Sequence, residues 1–224
     1  MYTPIKFLIN YFCRLILYLI GWKVMDDDLL DILRKTPKCV IIYPHTTYWD
    51  FVLMFFYKFS YPELWDRLYP TINENSYNNN QWIFSRINCI PATKKESTNG
   101  GFINNTIQQF KNKDSYIILM SPEGTFKSVE WRSGYYHLAK GLDIPILIFG
   151  FDYTSHSPIF GGSFKVGDNL EELQNELMSE FSLITPLYRE GSYVKIEDND
   201  IKPTVFAKQY RIIVLILILY YLMC

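Results

Sequence analysis

The sequence predicts an α/β domain with a mixed, largely parallel central sheet flanked by helices, and membrane-associating helices at both ends. Short apolar runs rich in β-branched residues, which are typical of buried strands, occur at 39–43, 116–120 and 144–149. Helical patterns with one apolar face lie between them, and strands that alternate with helices are typical of the α/β class. The two terminal segments, in contrast, are apolar over most of their length.

The composition limits the classes of partner and site. The 224 residues suffice for one domain with short appendages, and an apolar fraction of 49% is ample for a core. The net charge of −1 provides no basic field that would attract nucleic acid. The four cysteines are scattered, with no C-x-x-C pair and no Cys/His group at zinc spacing. We therefore expect no nucleic-acid partner and no metal site.

The first half of the domain continues the alternation. A helix over 50–59 is predicted to follow the first strand, and Pro62 breaks its pattern. A second strand is expected at 68–72 and a short helical segment at 81–87. The Asn-rich tract 73–80 between them is predicted to be a loop.

The second half contains an apolar helical face over 102–110 and several capping and turn signals. These signals are Gly141 as the C-cap of a helix over 135–140, Gly161-Gly162 as a turn between edge strands, and Asp168 with Glu171 as the capping box of a final helix over 170–181.

Residues 1–24 are predicted to form an amphipathic, membrane-associating helix. Lys6, Asn10 and Arg14 recur every four residues and so fall on one helical face within an otherwise apolar segment. A basic stripe on an apolar helix suits the membrane interface better than the membrane centre. A signal peptide is disfavoured, because Arg14 interrupts the apolar region and no cleavage site follows. The alternative is a helix packed on the domain itself.

Residues 201–224 are predicted to form a hydrophobic membrane segment. The run 212–224 is uninterrupted, but as a helix it would rise about 20 Å, short of the roughly 30 Å hydrocarbon core. It is interpreted as a short tail anchor or a segment within one leaflet, and whether it forms a transmembrane helix is left open. Lys202, Lys208 and Arg211 would keep the domain on the cytosolic side. The alternative is a buried terminal strand or helix.

His45 and Asp50 lie in the polar turn between the first strand and the helix that follows it. Such turns are where α/β proteins tend to hold their chemistry. A histidine whose second ring nitrogen is held by a carboxylate is a general base with a fixed tautomer. The pair alone is a weak signal, because Asp is a common capping residue and Asp50 could simply cap the helix.

A second strand-end turn, Ser121-Pro122-Glu123-Gly124-Thr125-Phe126-Lys127, follows the strand at 116–120. It combines a carboxylate, a glycine and a hydroxyl, and glycine lets backbone N–H groups approach a ligand closely. The alternative is an ordinary turn, since Pro, Glu and Gly are frequent in turns. No G-x-S-x-G elbow occurs in the sequence, which disfavours a serine lipase.

Four blocks occur in order: Pro-His-Thr-Thr-Tyr-Trp-Asp-Phe from residue 44, Ile-Pro-Ala-Thr-Lys from 90, Ser-Pro-Glu-Gly-Thr from 121, and Gly-Tyr-Tyr-His-Leu-Ala-Lys-Gly-Leu-Asp-Ile-Pro-Ile from 134. Together they resemble the glycerolipid acyltransferase family, of the lysophosphatidic acid acyltransferase type with its H-x4-D motif. The resemblance covers about residues 38–165 and is far more specific than any single block.

The resemblance implies that His45 deprotonates a lipid hydroxyl and that Asp50 orients the imidazole. The alkoxide would then attack the thioester carbonyl of acyl-CoA or acyl carrier protein, which is a co-substrate; no cofactor is implied. Acceptor binding is implied for Glu123, Gly124 and Thr125, and phosphate binding for Lys94.

The chain departs from the family pattern at three places. Phe126 follows Glu-Gly-Thr where the family usually has Arg, Thr93-Lys94 stands where Asp-Arg is frequent, and Asn88-Cys89 stands where a glycine pair is common. Arginine grips a phosphate with two parallel hydrogen bonds, which lysine does not. Lys127 or Arg132 would compensate.

We therefore expect a membrane-associated acyltransferase of phospholipid biosynthesis with its acyltransferase domain at 25–200. The leading reaction converts lysophosphatidic acid to phosphatidic acid, with the catalytic domain on the cytosolic side. The expected partners are a lipid membrane, the lysophospholipid, and acyl-CoA or acyl carrier protein. Two alternatives stay open: a different lipid acceptor, or a catalytically inactive lipid-binding or scaffold protein that keeps the fold.

Overall fold

The computed structural model describes residues 4–45, 47–93, 101–124, 131–181 and 184. Its strands are β1 (Lys38–Ile42), β2 (Leu68–Asn73), β3 (Ile90–Ala92), β4 (Tyr116–Met120), β5 (Ile146–Asp152) and β6 (Ser157–Phe164). They form one sheet in the order β3-β2-β4-β1-β5-β6. β6 runs antiparallel to β5, and the other neighbouring pairs are parallel. The predicted mixed, largely parallel α/β sheet is confirmed.

Helices cover both faces of this sheet. They are α1 (Pro4–Leu19), α2 (Asp27–Lys35), α3 (Tyr48–Ser60), α4 (Pro62–Trp65), α5 (Glu74–Asn79), α6 (Gln81–Phe84), α7 (Gly101–Phe110), α8 (Gly134–Leu142) and α9 (Leu170–Phe181). Cys39 and Ile41 of β1 pack on the side of α3, whereas Val40 and Ile42 pack on the side of α8 and α9. Burial on both faces explains the continuous apolar run of the central strand.

Most predicted elements are confirmed within a few residues, including the first two strands and the helix after β1. β5 begins later than the apolar run from residue 144. The N–H of Ile144 is bound to the carbonyl of Ala139 at 3.1 Å, so it closes α8 and is not available to the sheet. β3 was not expected as a strand, because its three residues carry too short a pattern.

The Asn-rich tract 73–80, predicted as a loop, instead contains α5. The side chain of Asn73 accepts a hydrogen bond from the N–H of Asn75 at 3.0 Å and caps the first turn. Asparagine is a poor residue inside a helix but a strong N-cap, so composition alone indicated the wrong structure.

The prediction that Gly141 ends its helix is wrong. α8 continues to Leu142, and Asp143 adopts the left-handed C-cap conformation at φ 52°. Gly141 lies inside the helix, where an added Cβ would approach Cδ1 of Ile107 to 2.4 Å. The glycine is therefore explained by close packing of α8 against α7.

The predicted turn at Gly161-Gly162 is also wrong, because both residues lie inside β6. An added Cβ on Gly161 would approach Cγ2 of Ile148 to 2.7 Å, and Gly162 has a φ of 128°. The β5–β6 register shifts between Ile148 and Phe149, so the glycines accommodate an irregularity in the edge pairing.

The capping box predicted from Asp168 and Glu171 is replaced by a neighbouring cap. The side chain of Asn169 accepts hydrogen bonds from the N–H groups of Glu171 at 3.1 Å and Glu172 at 3.3 Å. Asp168 instead pairs with Lys140 at 2.9 Å. The final helix itself is confirmed as α9.

The polar stripe of α1 faces the domain. Lys6 pairs with Asp66 at 3.2 Å, and Arg14 donates to the carbonyl of Ser60 at 3.0 Å. Asn10 donates to the same carbonyl, so the stripe satisfies backbone oxygen at the end of α3. The buried side of the helix consists of Ile9, Cys13 and Leu17. Packing of this helix on the domain, the alternative interpretation, is confirmed for these two sides.

The remaining side of α1 is apolar and exposed. Tyr18, for example, is 77% exposed. This α1 apolar surface consists of Phe7, Leu8, Tyr11, Phe12, Leu15, Tyr18 and Leu19. Among the residues that the structure describes, no helix has both the length and the apolar character needed to cross a bilayer. The predicted membrane segment 201–224 lies outside the described residues.

The far end of α3 is fixed by a buried lysine. Nζ of Lys58 donates to the carbonyls of Leu64 at 3.4 Å, Trp65 at 2.8 Å and Leu68 at 2.6 Å. Its side chain is almost fully buried. Three carbonyl acceptors match the three donors of an ammonium group, so Lys58 joins α3 to the start of β2.

The stability contribution of Lys58 should depend on pH. Burial lowers the pKa of Lys58 to about 7, and the charge of Lys6 acts in the same direction. An unfolded lysine titrates near about 10.4, so between these values the unfolded chain binds more protons and stability increases with pH. Between about pH 7 and pH 8.5, the unfolding free energy of the wild type should rise relative to that of Lys58→Met by up to about 1.4 kcal/mol per pH unit.

Urea unfolding followed by tryptophan fluorescence measures this difference. Subtracting the Lys58→Met curve removes the contributions of the buried tyrosines and cysteines, which both proteins share. Identical pH dependence in the two proteins would show that Lys58 does not titrate in this range.

Candidate functional site

The candidate site lies at the carboxyl ends of neighbouring parallel strands. β1 is flanked by β4 and β5, with Ile42 opposite Met120 in the β1–β4 register. The turns after β1 and β4 therefore leave the same edge of the sheet. This edge is where open α/β sheets usually bind ligands.

Asp50 is part of the structure that starts α3. The side chain of Thr47 accepts from the N–H of Trp49 at 3.3 Å, and Oδ2 of Asp50 accepts from the N–H of Thr47 at 2.9 Å. The side chain of Thr47 also accepts from the backbone N–H of Asp50, which completes a reciprocal capping box. The interpretation of Asp50 as a helix cap is thus confirmed.

The same carboxylate also faces His45. Nδ1 of His45 lies 3.6 Å from Oδ2 of Asp50, and the two side chains are 18% and 3% exposed. Nδ1 is buried, and the ring of Tyr43 packs against the imidazole with 5.8 Å between centroids. Capping the helix and facing the histidine are therefore compatible roles for one aspartate.

Glu123 connects the second turn to the first. Its carboxylate is buried, accepts from the hydroxyl of Ser121, and is in a hydrogen bond with the backbone of His45. Burial raises the pKa of Glu123, while the hydrogen bond from Ser121 and the proximity of His45 act in the opposite direction. Glu123 consequently holds the β4 turn against the histidine.

Gly124 and Arg132 form the outer part of the β4 turn. Gly124 has a φ of 65°, a conformation that favours glycine, and an added Cβ would lie 3.6 Å from Nε of Arg132. The N–H of Arg132 donates to the carbonyl of Pro122 at 2.9 Å. The exposed guanidinium of Arg132 is thereby held over the glycine backbone.

The structure brings together five of the predicted site residues: His45, Asp50, Glu123, Gly124 and Arg132. The other three, Lys94, Thr125 and Lys127, lie outside the described residues. Asn88, which stands where the resemblance implies a glycine, has a φ of 61°. Asparagine tolerates this left-handed conformation better than most residues, so the backbone that a glycine would favour is retained.

Sequence reasoning missed Tyr153. It follows β5, and its hydroxyl donates to Oδ1 of Asp50 at 2.7 Å. The two residues are separated by 103 positions, so no local motif connects them. The available signal was positional, because a polar side chain directly after a strand parallel to β1 lies at the same sheet edge as His45.

Known proteins share the fold of this chain and part of its sequence pattern. The fold is similar to the crystal structure of the 1-acyl-sn-glycerophosphate (LPA) acyltransferase PlsC from Thermotoga maritima, with a TM-score of 0.53. Sequence identity is 13%, and the match covers 80% of this chain and 77% of that one. No curated protein matches the sequence. The model of the Acyltransferase family matches residues 28–150, more than half of the chain. The chain therefore belongs to the Acyltransferase family.

Proposed function

We propose that the protein transfers a fatty acyl group from a thioester donor to the hydroxyl of a lysophospholipid, converting lysophosphatidic acid to phosphatidic acid. The observation that carries the proposal is the buried Asp50 carboxylate facing His45 at the end of the central strand. The structural relative from Thermotoga maritima is a 1-acyl-sn-glycerophosphate acyltransferase, which supports the same class of acceptor.

In this proposal His45 is the general base. Because Nδ1 is buried beside Asp50, Nε2 is the nitrogen that remains for a substrate. Nε2 takes the proton of the acceptor hydroxyl as its oxygen attacks the thioester carbonyl. The tetrahedral intermediate then expels the thiolate, which takes that proton from His45. Asp50 holds the imidazole and stabilises its charged form, and no covalent acyl-enzyme is needed.

The anionic acceptor would be bound at the β4 turn. Gly124 leaves backbone accessible beneath the guanidinium of Arg132, which suits a phosphate oxygen. Thr125 and Lys127 follow in the sequence, and Lys94 follows β3, a strand parallel to β2. Glu123 has internal partners in Ser121 and His45, so within this proposal it orients the turn.

A different lipid acceptor is the second candidate. Phe126 and Lys94 replace arginines that the resemblance implies, so a less anionic alcohol or an amine would fit the same catalytic pair. The donor, acyl-CoA or acyl carrier protein, is proposed on the chemistry alone. No cofactor is needed for acyl transfer from a thioester.

We also propose that the protein works on a membrane, with the catalytic domain on the cytosolic side. The α1 apolar surface supports this, because seven large apolar side chains on one helical face would lose contact with water in the acyl region. The α1 polar stripe contacts the end of α3 through Arg14 and Asp66 through Lys6, which fixes the rotation of the helix so that this surface points outward.

The role of His45 is tested by turnover. His45→Ala should lower kcat by about 10²- to 10⁴-fold, the usual contribution of a general base. The assay uses purified protein in detergent with labelled acyl-CoA and a panel of lysophospholipids. His137→Ala, which removes an exposed histidine of α8, is the matched control. Equal product from wild type and His45→Ala would exclude His45 as the base, and lipid binding without turnover would favour the scaffold alternative.

Acceptor binding is tested by comparing charged and neutral substrates. Arg132→Ala and Lys94→Ala should each raise the KM for lysophosphatidic acid by about tenfold, as expected for loss of a charge-assisted hydrogen bond. The KM for monoacylglycerol should change little. Arg34→Ala, in an exposed ion-pair network of α2, serves as the control. The same increase for both acceptors would count against a phosphate contact.

Membrane binding is tested with vesicles of phosphatidylcholine and phosphatidylglycerol. Replacing Leu8, Tyr11 and Leu15 by Ser should reduce vesicle partitioning at least ~10-fold, since each large side chain contributes on the order of 1 kcal/mol or more. Trp82→Ser, an exposed aromatic of α6, should leave partitioning unchanged.

The same measurement on a chain without residues 205–224 separates the two terminal segments. Removing this segment should shift protein from the membrane pellet towards the soluble fraction. If the triple variant partitions to vesicles as strongly as the wild type, both in the full-length and in the shortened chain, the role of the α1 apolar surface is refuted.

A further inference from the structure

The buried carboxylate of Asp50 has a separate donor on each oxygen. Oδ2 accepts from the N–H of Thr47 at 2.9 Å and faces His45 at 3.6 Å. Oδ1 accepts from the hydroxyl of Tyr153 at 2.7 Å. The terminal torsion of an aspartate is broad and roughly two-fold, so a cap on one oxygen alone does not fix the plane of the carboxylate. The hydrogen bond from Tyr153 to the other oxygen fixes that plane.

Tyr153 is itself held by its surroundings. It directly follows β5, and its ring lies edge-on against Trp22 with 5.1 Å between centroids. Trp22 is buried, and the neighbouring N–H of Lys23 donates to the carbonyl of His156 at 2.8 Å. The hydroxyl of Tyr153 is therefore directed at Asp50 by packing between the end of α1 and the β5–β6 turn.

Tyr153, which holds Asp50, and Trp22, which holds Tyr153, both lie outside the segment that the family model matches. That segment runs from 28 to 150, whereas Trp22 precedes it and Tyr153 follows it. The two flanks meet at the face of Asp50 turned away from His45, since Tyr153 binds Oδ1 and His45 faces Oδ2. This is a contribution of this chain's own flanking structure to the site.

We propose that Tyr153 is a positioning residue for acyl transfer, acting through Asp50. This rests on the proposed function, in which Asp50 orients the imidazole of His45. By holding Oδ1, Tyr153 keeps Oδ2 directed at Nδ1 while His45 gains and returns the proton. Tyr153 does not touch the reacting atoms, so its removal affects turnover and leaves substrate binding intact.

Tyr153→Phe tests this directly, since it removes only the hydroxyl and keeps the ring against Trp22. We expect kcat to fall about 10- to 100-fold, the range for loss of a hydrogen bond to a charged group, with the KM of both substrates within about twofold. Tyr136→Phe is the matched control, because the Tyr136 hydroxyl also bonds protein oxygen, the carbonyls of Gly167 at 3.0 Å and Asp168 at 3.1 Å. It should behave as wild type.

A double-mutant cycle separates positioning from a general structural role. In an Asp50→Asn background, Tyr153→Phe should lower kcat by less than about threefold, because the carboxylate it positions is gone. A full loss of kcat in that background, or wild-type kcat in the single variant, would overturn the proposal.

A ¹⁵N NMR measurement of the histidine side chains tests the same proposal without depending on turnover. The chain has three histidines, so the imidazole ¹⁵N resonances of His45 are assigned by comparison with His45→Ala. Tyr153→Phe should shift the Nδ1 resonance of His45 and leave those of His137 and His156 in place. An unchanged His45 spectrum would overturn the role of Tyr153. A wild type without turnover on any acceptor would instead refute the proposed function, while the spectrum still decides on Tyr153.

Discussion

The carboxylate of Asp50 is the interaction on which the site depends. A carboxylate buried this deeply is costly unless hydrogen bonds replace its hydration, and Thr47 and Tyr153 supply those bonds. Because Asp50 also closes the capping box of α3, the start of that helix and the position of the histidine partner are set together. The position of Asp50 relative to His45 is therefore fixed by α3, whose other end is held by the hydrogen bonds of Lys58.

The parts of the fold that were predicted correctly have strong local signals. β1 and β4 are buried on both faces and so appear as uninterrupted apolar runs, and α9 carries a clear apolar face. The errors lie where several residues compete for one role. Asn169 rather than Asp168 caps α9, and Asp143 rather than Gly141 ends α8. Contacts between distant residues bear on both cases: Gly141 packs against Ile107 and Asp168 pairs with Lys140, and no local pattern reveals either contact.

The candidate site residues also divide into those with a local sequence signal and those placed by distant contacts. His45, Asp50 and Glu123 were identified because they belong to short motifs at strand ends, and parallel neighbours β1 and β4 bring those ends together. Tyr153 was missed because its partner is distant in sequence, although its strand also borders β1. In the sequence, the helix cap and the histidine partner are alternative interpretations of Asp50. In the structure Oδ2 of Asp50 accepts from the N–H of Thr47 and also faces Nδ1 of His45, so the two interpretations are compatible.

The end of α1 has a consequence for how a lipid would reach the dyad. The last turn of that helix leads to Trp22, whose ring packs edge-on against Tyr153, and the hydroxyl of Tyr153 donates to the carboxylate of Asp50. If the α1 apolar surface rests on a bilayer, as proposed, these contacts connect the membrane-bound helix to the carboxylate that faces His45. An acceptor could then react while its acyl chain stays among its neighbours in the leaflet. Extraction of the whole lipid into water, which costs about 0.8 kcal/mol for each methylene exposed, would be avoided.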